Sequence, residues 1–193
     1  MGFVALAGAL IDHIVRTHVA FAAVDKLARE SRQSVYGVLN QLLDDAAGAT
    51  KAGRDCSSVT SGGGGDGGDA ASGVGAGGGW SLARCHLVRD THVYPDFHGN
   101  RSPFADASLT GMVSGLTLDH SPLALARLYL ATVQALAYGT RMIIDAMADQ
   151  GVAVTRMACC GGDTKNALFL RERADATGCA MGTYCTSLVT GCW

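Results

Sequence analysis

The fold is decided by the stretch Gly151-Val-Ala-Val-Thr-Arg-Met-Ala-Cys-Cys-Gly-Gly-Asp-Thr-Lys-Asn166. Its apolar positions predict a buried strand that includes Val152, Val154, Met157 and Cys159. The pair Gly161-Gly162 ends this strand, because consecutive glycines favour a turn. Residues Thr164 to Ala174 then have the pattern of a helix that turns Leu168 and Phe169 inward.

A long helix is predicted just upstream, from about Pro122 to Asp149. Ser121 suits the N-cap position and proline suits the first helical turn. Gly151 suits the C-terminal end, where a left-handed residue often follows a helix. The order helix, strand, glycine turn, helix is typical of an α/β fold, usually with a mostly parallel sheet.

Composition excludes several classes of protein. Hydrophobic residues make up 48% of the 193-residue chain and charged residues 17%, which excludes a wholly disordered, highly charged chain. The net charge of −2 gives no basic footprint for nucleic acid. No apolar run reaches the roughly 18 residues that a membrane helix needs. The first eleven residues carry no basic residue of the kind that opens a secretory signal, which favours a cytoplasmic location.

The seven cysteines predict neither a disulfide framework nor a zinc site. Their number is odd, their spacing is scattered and no CxxC motif occurs, whereas both alternatives need paired cysteines at short spacing. Buried or incidental free thiols are therefore favoured, and no metal site is expected.

Four segments are predicted along the chain. Residues 1–50 are mostly helical in pattern, with Val19, Ala23 and Leu27 on one apolar face. Residues 53–86 are expected to be a flexible, disordered insertion, because eleven of the 26 glycines lie between Gly62 and Gly79 and almost nothing can be buried. A phosphate-cradling loop is the alternative, but the Lys-Ser/Thr that should follow such a loop is missing. Residues 87–181 form the main folded part and residues 182–193 a divergent tail.

The glycine turn has the chemistry of a ligand site. Glycines allow a ligand to approach the backbone closely, and a helix N-terminus offers free N–H groups. Asn166 can hydrogen-bond an adenine or ribose edge. Farther upstream, Gly99 and Pro103 mark a loop from Phe97 to Pro103. Tyr129 and Tyr138 are interpreted as packing residues of the long helix.

Four motifs in order resemble the C-terminal domain of the FGGY carbohydrate kinase family. They are His92-Val-Tyr-Pro-Asp-Phe-His-Gly-Asn-Arg-Ser-Pro-Phe-Ala-Asp106, Gly111-Met-Val-Ser-Gly-Leu116, Cys160-Gly-Gly-Asp-Thr-Lys-Asn166 and Ala174-Asp-Ala-Thr-Gly178. Within the family, the sequence is most similar to the pentulose kinases that resemble D-ribulokinase.

The resemblance implies the C-terminal actin-like ATPase (ribonuclease H-like) domain, incomplete at its C-terminal end. It further implies ATP and Mg²⁺ as cofactors and a small-molecule sugar as phosphoryl acceptor. Gly161, Gly162 and Asn166 are then expected to contact the nucleotide. Gly99, Asn100 and Arg101 are expected near the interdomain cleft, where Arg101 either meets phosphate or braces the loop.

Parts of the family pattern are missing. The family's catalytic aspartate precedes the first residue of this sequence, so the catalytic base is unknown and Asp12 is not assigned to the role. The expected gene product is truncated or mis-spliced, and exposure of an apolar domain interface predicts self-association. Two functions remain open: half of a sugar kinase, or a non-catalytic fragment or pseudokinase that binds a nucleotide or a protein partner.

Overall fold

The computed structural model describes residues 7–52 and 84–183. The N-terminal part is helical, as predicted, and consists of α1 (Ala7–Thr17), α2 (Phe21–Ser31) and α3 (Val35–Ala52). A short helical turn at residues 84–87 precedes the rest of the chain. That part comprises β1 (His92–Tyr94), β2 (Met112–Ser114), α4 (Pro122–Asp149), β3 (Arg156–Cys159), a 3-10 helix (Gly162–Lys165), α5 (Ala167–Thr177) and β4 (Ala180–Thr183). This mixture of helices and strands confirms the predicted α/β class.

Helix α4 is the centre of the packing. Its predicted start is confirmed, because the Ser121 hydroxyl accepts a hydrogen bond from the Ala124 N–H at 3.1 Å and Pro122 lies in the first turn. At the other end the chain leaves the helix through Gly151, which has a φ of 80°. Helices α1, α3 and α5 and strand β1 all pack against it.

The main hydrophobic core joins α4 to all the other helices. Leu125, Tyr129, Leu130 and Val133 of α4 are fully buried, and they belong to one cluster with Val15, Val24, Leu39, Leu43 and Phe169. Burial of apolar surface on this scale is the main stabilising contribution to such a fold. Leu168 and Phe169 lie inward, as the sequence predicts.

The strands form two small sheets within the described residues. β1 pairs antiparallel with β2, with His92 opposite Ser114. β3 pairs parallel with β4, with Arg156 opposite Ala180. The expected mostly parallel arrangement therefore holds for β3 and β4 alone, because the chain between β1 and β2 returns through a loop without a crossover helix.

Three local predictions are wrong. On α2 the buried residues are Val24 and Ala28, whereas Leu27 is 41% exposed and Val19, which precedes the helix, is 74% exposed. The predicted strand from Val152 to Cys159 shortens to β3, which alternates exposed and half-buried residues, since β4 is its one partner among the described strands.

The predicted helix from Thr164 to Ala174 is also divided. Residues Gly162–Lys165 form a 3-10 turn, and Asn166, in extended conformation, caps a separate helix that runs on to Thr177. An N-cap residue starts a new helix, so the two helical segments cannot be continuous.

The predicted Gly-rich insertion lies mostly outside the described residues, as does the tail after residue 183. At its C-terminal end the predicted boundary is wrong, because residues 84–86 are helical and the buried Arg84 guanidinium pairs with the Asp44 carboxylate. This ion pair joins α3 to the segment that follows the Gly-rich stretch.

Within residues 7–52 and 84–183, no single helix is long and apolar enough to span a membrane, although α1 and α2 meet the requirement as a pair bent by 104°. The four cysteines in these ranges are unpaired, and Cys179 is the buried one among them.

Candidate functional site

The glycine turn after β3 presents bare backbone to solvent. Gly161 has a φ of 98°, a conformation that side-chain-bearing residues rarely adopt. The Thr164 hydroxyl donates to the Gly161 carbonyl at 2.7 Å and holds the turn. A methyl group added at Gly161 or Gly162 would meet nothing within 4 Å. The space beside both glycines is therefore open to a ligand.

Asn166 lies at the other end of this turn, and its amide is engaged inside the protein. The Asn166 side-chain oxygen accepts from the Leu168 N–H at 3.2 Å and from the Asn40 amide at 3.3 Å. Its nitrogen donates to the Tyr129 hydroxyl at 2.6 Å. A nucleotide contact through this side chain stays a prediction, and what the structure gives Asn166 is the N-cap of α5.

Two residues of this cluster were not identified from the sequence as site residues. Asn40 comes from α3, and Tyr129 is a fully buried residue of α4. The Tyr129 ring lies 5.8 Å from the ring of Tyr36, whose hydroxyl donates to the Asp12 carboxylate. Burial first, and then this hydrogen bond, raises the pKa of Tyr36. A tyrosine in an apolar stripe gives no sign in the sequence that its hydroxyl has partners.

The loop around Gly99 is held by its own backbone and by buried Asn100. Gly99 has a φ of 74°, and a methyl group there would lie 2.8 Å from the Ala107 Cα. The Asn100 amide donates to the Asp96 carboxylate at 2.9 Å, and its oxygen accepts from the Phe104 N–H at 3.2 Å. Arg101 is exposed and makes no salt bridge with any residue that the structure describes.

A groove of about 710 Å³ runs beside this loop. Residues 94–102 form one wall, the C-terminal half of α4 forms another, and Val154 and Met157 contribute from the β3 side. The lining is mostly apolar. Gly99, Asn100 and Arg101 all line it, whereas Gly161, Gly162 and Asn166 do not. The structure therefore places the two predicted groups of site residues in different surroundings.

A buried carboxyl lies on α5 away from the glycine turn. Glu172 accepts a hydrogen bond from the Gln134 amide at 3.1 Å. Burial raises the pKa of Glu172, although the hydrogen bond and the nearby Arg84 charge lower it in part. The Gln134 contact ties α5 to α4 and so supports the helix that follows the turn.

The described residues fit a nucleotide better than a metal ion. The open glycine backbone suits a flat ring laid against the turn, and exposed Lys165 adds a positive charge at its end. By contrast, no three His, Cys, Asp or Glu side chains cluster as metal ligands would within residues 7–52 and 84–183.

Comparison with known proteins identifies the family. Residues 1–186 match the model of the C-terminal domain of the FGGY family of carbohydrate kinases, and the chain belongs to this family. The predicted family and fold class are thereby confirmed.

Several curated relatives match across 89% of the chain. An FGGY carbohydrate kinase domain-containing protein of Homo sapiens is 42% identical over 171 residues, and a D-ribulokinase of Saccharomyces cerevisiae is 29% identical over 171 residues. The matched region spans 25% of the human protein and 20% of the yeast protein, so this chain corresponds to about a quarter of its relatives or less.

A solved xylulose kinase structure from Brucella ovis covers 54% of this chain and 22% of its own chain, at 21% identity and a TM-score of 0.44.

Proposed function

We propose that this chain supplies the nucleotide-binding part of an ATP-dependent carbohydrate kinase. The observation that carries the proposal is the exposed Gly161–Gly162 turn, which opens directly from β3 inside a domain of the FGGY family. Such a turn allows the adenine ring to lie against the backbone without a side chain between them.

Phosphoryl transfer depends mainly on positioning and on stabilisation of negative charge. The bound nucleotide supplies the γ-phosphoryl group, and Mg²⁺ carried with it balances the phosphate charge. The described residues contribute to binding the base and to orienting it. No described residue is assigned as the catalytic base.

A pentulose such as D-ribulose is the sugar that we propose. Support comes from the relative named D-ribulokinase, which is similar across 89% of this chain. None of the described site residues selects a sugar. Arg101 bears on the nucleotide rather than on the sugar, because an exposed guanidinium on a groove wall is available to a phosphate group, whereas D-ribulose is uncharged.

The second candidate function is nucleotide binding without catalysis. It requires the same exposed Gly161–Gly162 turn but no group that acts on the transferred phosphate. Cytoplasmic location and self-association stay predictions from the sequence.

Calorimetric titration with ADP tests the binding proposal. The variant Gly162→Val places a branched side chain beside the turn, where an added Cβ would meet nothing within 4 Å, and circular dichroism checks that the variant is folded. We expect the wild-type chain to bind ADP. We expect the variant to bind ADP at least about tenfold more weakly, and a tenfold loss of affinity corresponds to about 1.4 kcal/mol.

The matched control is Gly48→Val, which adds the same side chain at an open position of α3. It should bind ADP like the wild type. Failure of the wild-type chain to bind ADP would overturn the proposal, and so would equal loss in both variants. An assay for ATP-dependent phosphorylation of D-ribulose separates the two functions, because turnover by this chain would contradict the non-catalytic candidate.

A further inference from the structure

We infer that Tyr129 and Asn40 are positioning residues for the glycine turn, an inference that rests on the proposed nucleotide site. The two side chains and Asn166 form a closed ring of three hydrogen bonds. Asn166 donates to the Tyr129 hydroxyl at 2.6 Å, Tyr129 donates to the Asn40 oxygen at 3.3 Å, and Asn40 donates to the Asn166 oxygen at 3.3 Å. We call these three residues the amide ring.

The amide ring joins three elements that are far apart in sequence. Asn40 belongs to α3, Tyr129 to α4 and Asn166 to the cap of α5. Around it, Leu39, Leu43 and Leu130 are fully buried, so the anchoring side chains stand on a close-packed core. Each member donates once and accepts once within the ring, and hydrogen bonds linked in this way polarise one another.

The ring acts on the glycine turn through the N-cap of α5. Asn166 keeps its side-chain oxygen on the Leu168 N–H only while its amide keeps this orientation. The 3-10 turn Gly162–Lys165 lies directly between this cap and Gly161, where the Thr164 hydroxyl closes the turn. Both ends of the glycine turn are thus held, one by β3 and the other by the amide ring.

The burial of Tyr129 distinguishes a residue that positions the glycine turn from one that contacts the ligand directly. It is 0% exposed, so its hydroxyl cannot touch a ligand that lies on the open side of Gly161 and Gly162. Any effect of this hydroxyl on nucleotide binding is therefore indirect, and Asn166 is the member of the amide ring that connects it to the glycine turn. Removal of the hydroxyl leaves the Asn166 nitrogen and the Asn40 oxygen each without one partner, which allows the cap to shift.

The test is titration of the 193-residue chain with ADP, at a temperature where circular dichroism shows every variant to be folded. Tyr129→Phe is expected to bind ADP about five- to tenfold more weakly, the effect of one misplaced hydrogen-bonding group. Asn166→Asp keeps a capping oxygen but cannot donate to Tyr129, and it should show a similar loss.

The control is Tyr36→Phe. This variant also removes one tyrosine hydroxyl that has a side-chain partner, and the aromatic side chain of Tyr36 packs against that of Tyr129. Tyr36 is not a member of the amide ring. The ADP affinity of Tyr36→Phe should equal that of the wild type even where its melting temperature falls as far as that of Tyr129→Phe. A merely structural role of Tyr129 would lower both melting temperatures and leave both affinities unchanged.

A double variant supplies a second readout. If the ring works as a unit, Asn40→Ala combined with Tyr129→Phe should bind ADP no more weakly than either single variant. The inference would be overturned if Tyr129→Phe bound ADP as tightly as the wild type, or if the losses of affinity in the double variant were fully additive. In either case, binding of ADP by the wild-type chain would still support the nucleotide site. Absence of ADP binding by the wild-type chain would overturn the proposed function and the inference with it.

Discussion

The substitution Gly115→Ala tests how the β1–β2 hairpin holds the loop that carries Gly99. Gly115 has a φ of 80°, and a methyl group there would lie 1.7 Å from the Asp90 carbonyl oxygen and 3.1 Å from the Thr91 Cα. The obstructing atoms belong to the backbone, so no side chain can swing aside. The residues next to this contact, His92 and Ser114, are paired across the hairpin.

The expected cost has two parts. A left-handed backbone costs a residue with a Cβ about 1–2 kcal/mol, and overpacking that displaces backbone costs about 1–3 kcal/mol. A total of about 3 kcal/mol is a large share of the roughly 5–15 kcal/mol that stabilises a typical domain. With a urea dependence of about 2 kcal/mol per molar, the unfolding midpoint should fall by about 1.5 M.

Urea unfolding followed by far-ultraviolet circular dichroism measures this shift. The matched variant is Gly48→Ala, because Gly48 lies in α3 with nothing within 4 Å of the added methyl group. Alanine there should raise stability by about 0.5–1 kcal/mol, since glycine is unfavourable within a helix. A midpoint of Gly115→Ala within 0.2 M (roughly the precision of such a fit) of the wild-type value would refute the close approach of Asp90 to Gly115.

Two further predictions concern the helices that hold the site. Ser121→Ala removes the acceptor for the Ala124 N–H and should cost about 1 kcal/mol, which lowers the melting temperature by about 2–4 °C. The control Ser31→Ala, at an exposed helix end, should lower the melting temperature less. Equal shifts of the melting temperature in the two variants would contradict a capping role of Ser121. Glu172→Gln keeps a group that can accept from Gln134 but removes the charge whose burial raises the pKa of Glu172. Because a raised carboxyl pKa makes the folded state bind more protons, wild-type stability contributed by this group is present below the unfolded pKa near 4.5 and is lost as pH rises above it. The free energy of unfolding of Glu172→Gln, measured with urea, should therefore rise relative to that of the wild type between pH 4 and pH 8. A difference between the two proteins that did not change with pH would contradict burial as the cause of the raised pKa.

Local sequence signals predicted the parts of the fold that local energetics control. The start of α4 follows from a serine that caps and a proline that lacks an N–H, and its end from a glycine that adopts positive φ; each acts within a few residues. Inward-facing Leu168 and Phe169 likewise follow from helical spacing. The glycine turn was located for the same reason, because glycine readily adopts a positive φ such as the 98° found at Gly161.

Contacts between distant segments decided the rest. The sequence by itself determined the family, the α/β class, the long helix and the position of the glycine turn. Only the tertiary structure decided that Asn166 bonds to Asn40, 126 residues away, and to buried Tyr129, because no local pattern encodes the partner of a side-chain amide. It also decided which face of α2 is buried, since Val24 and Ala28 reach the core while Val19 and Leu27 remain exposed. Helical spacing gives the periodicity of an apolar face, but the elements that pack around a helix select which face is covered.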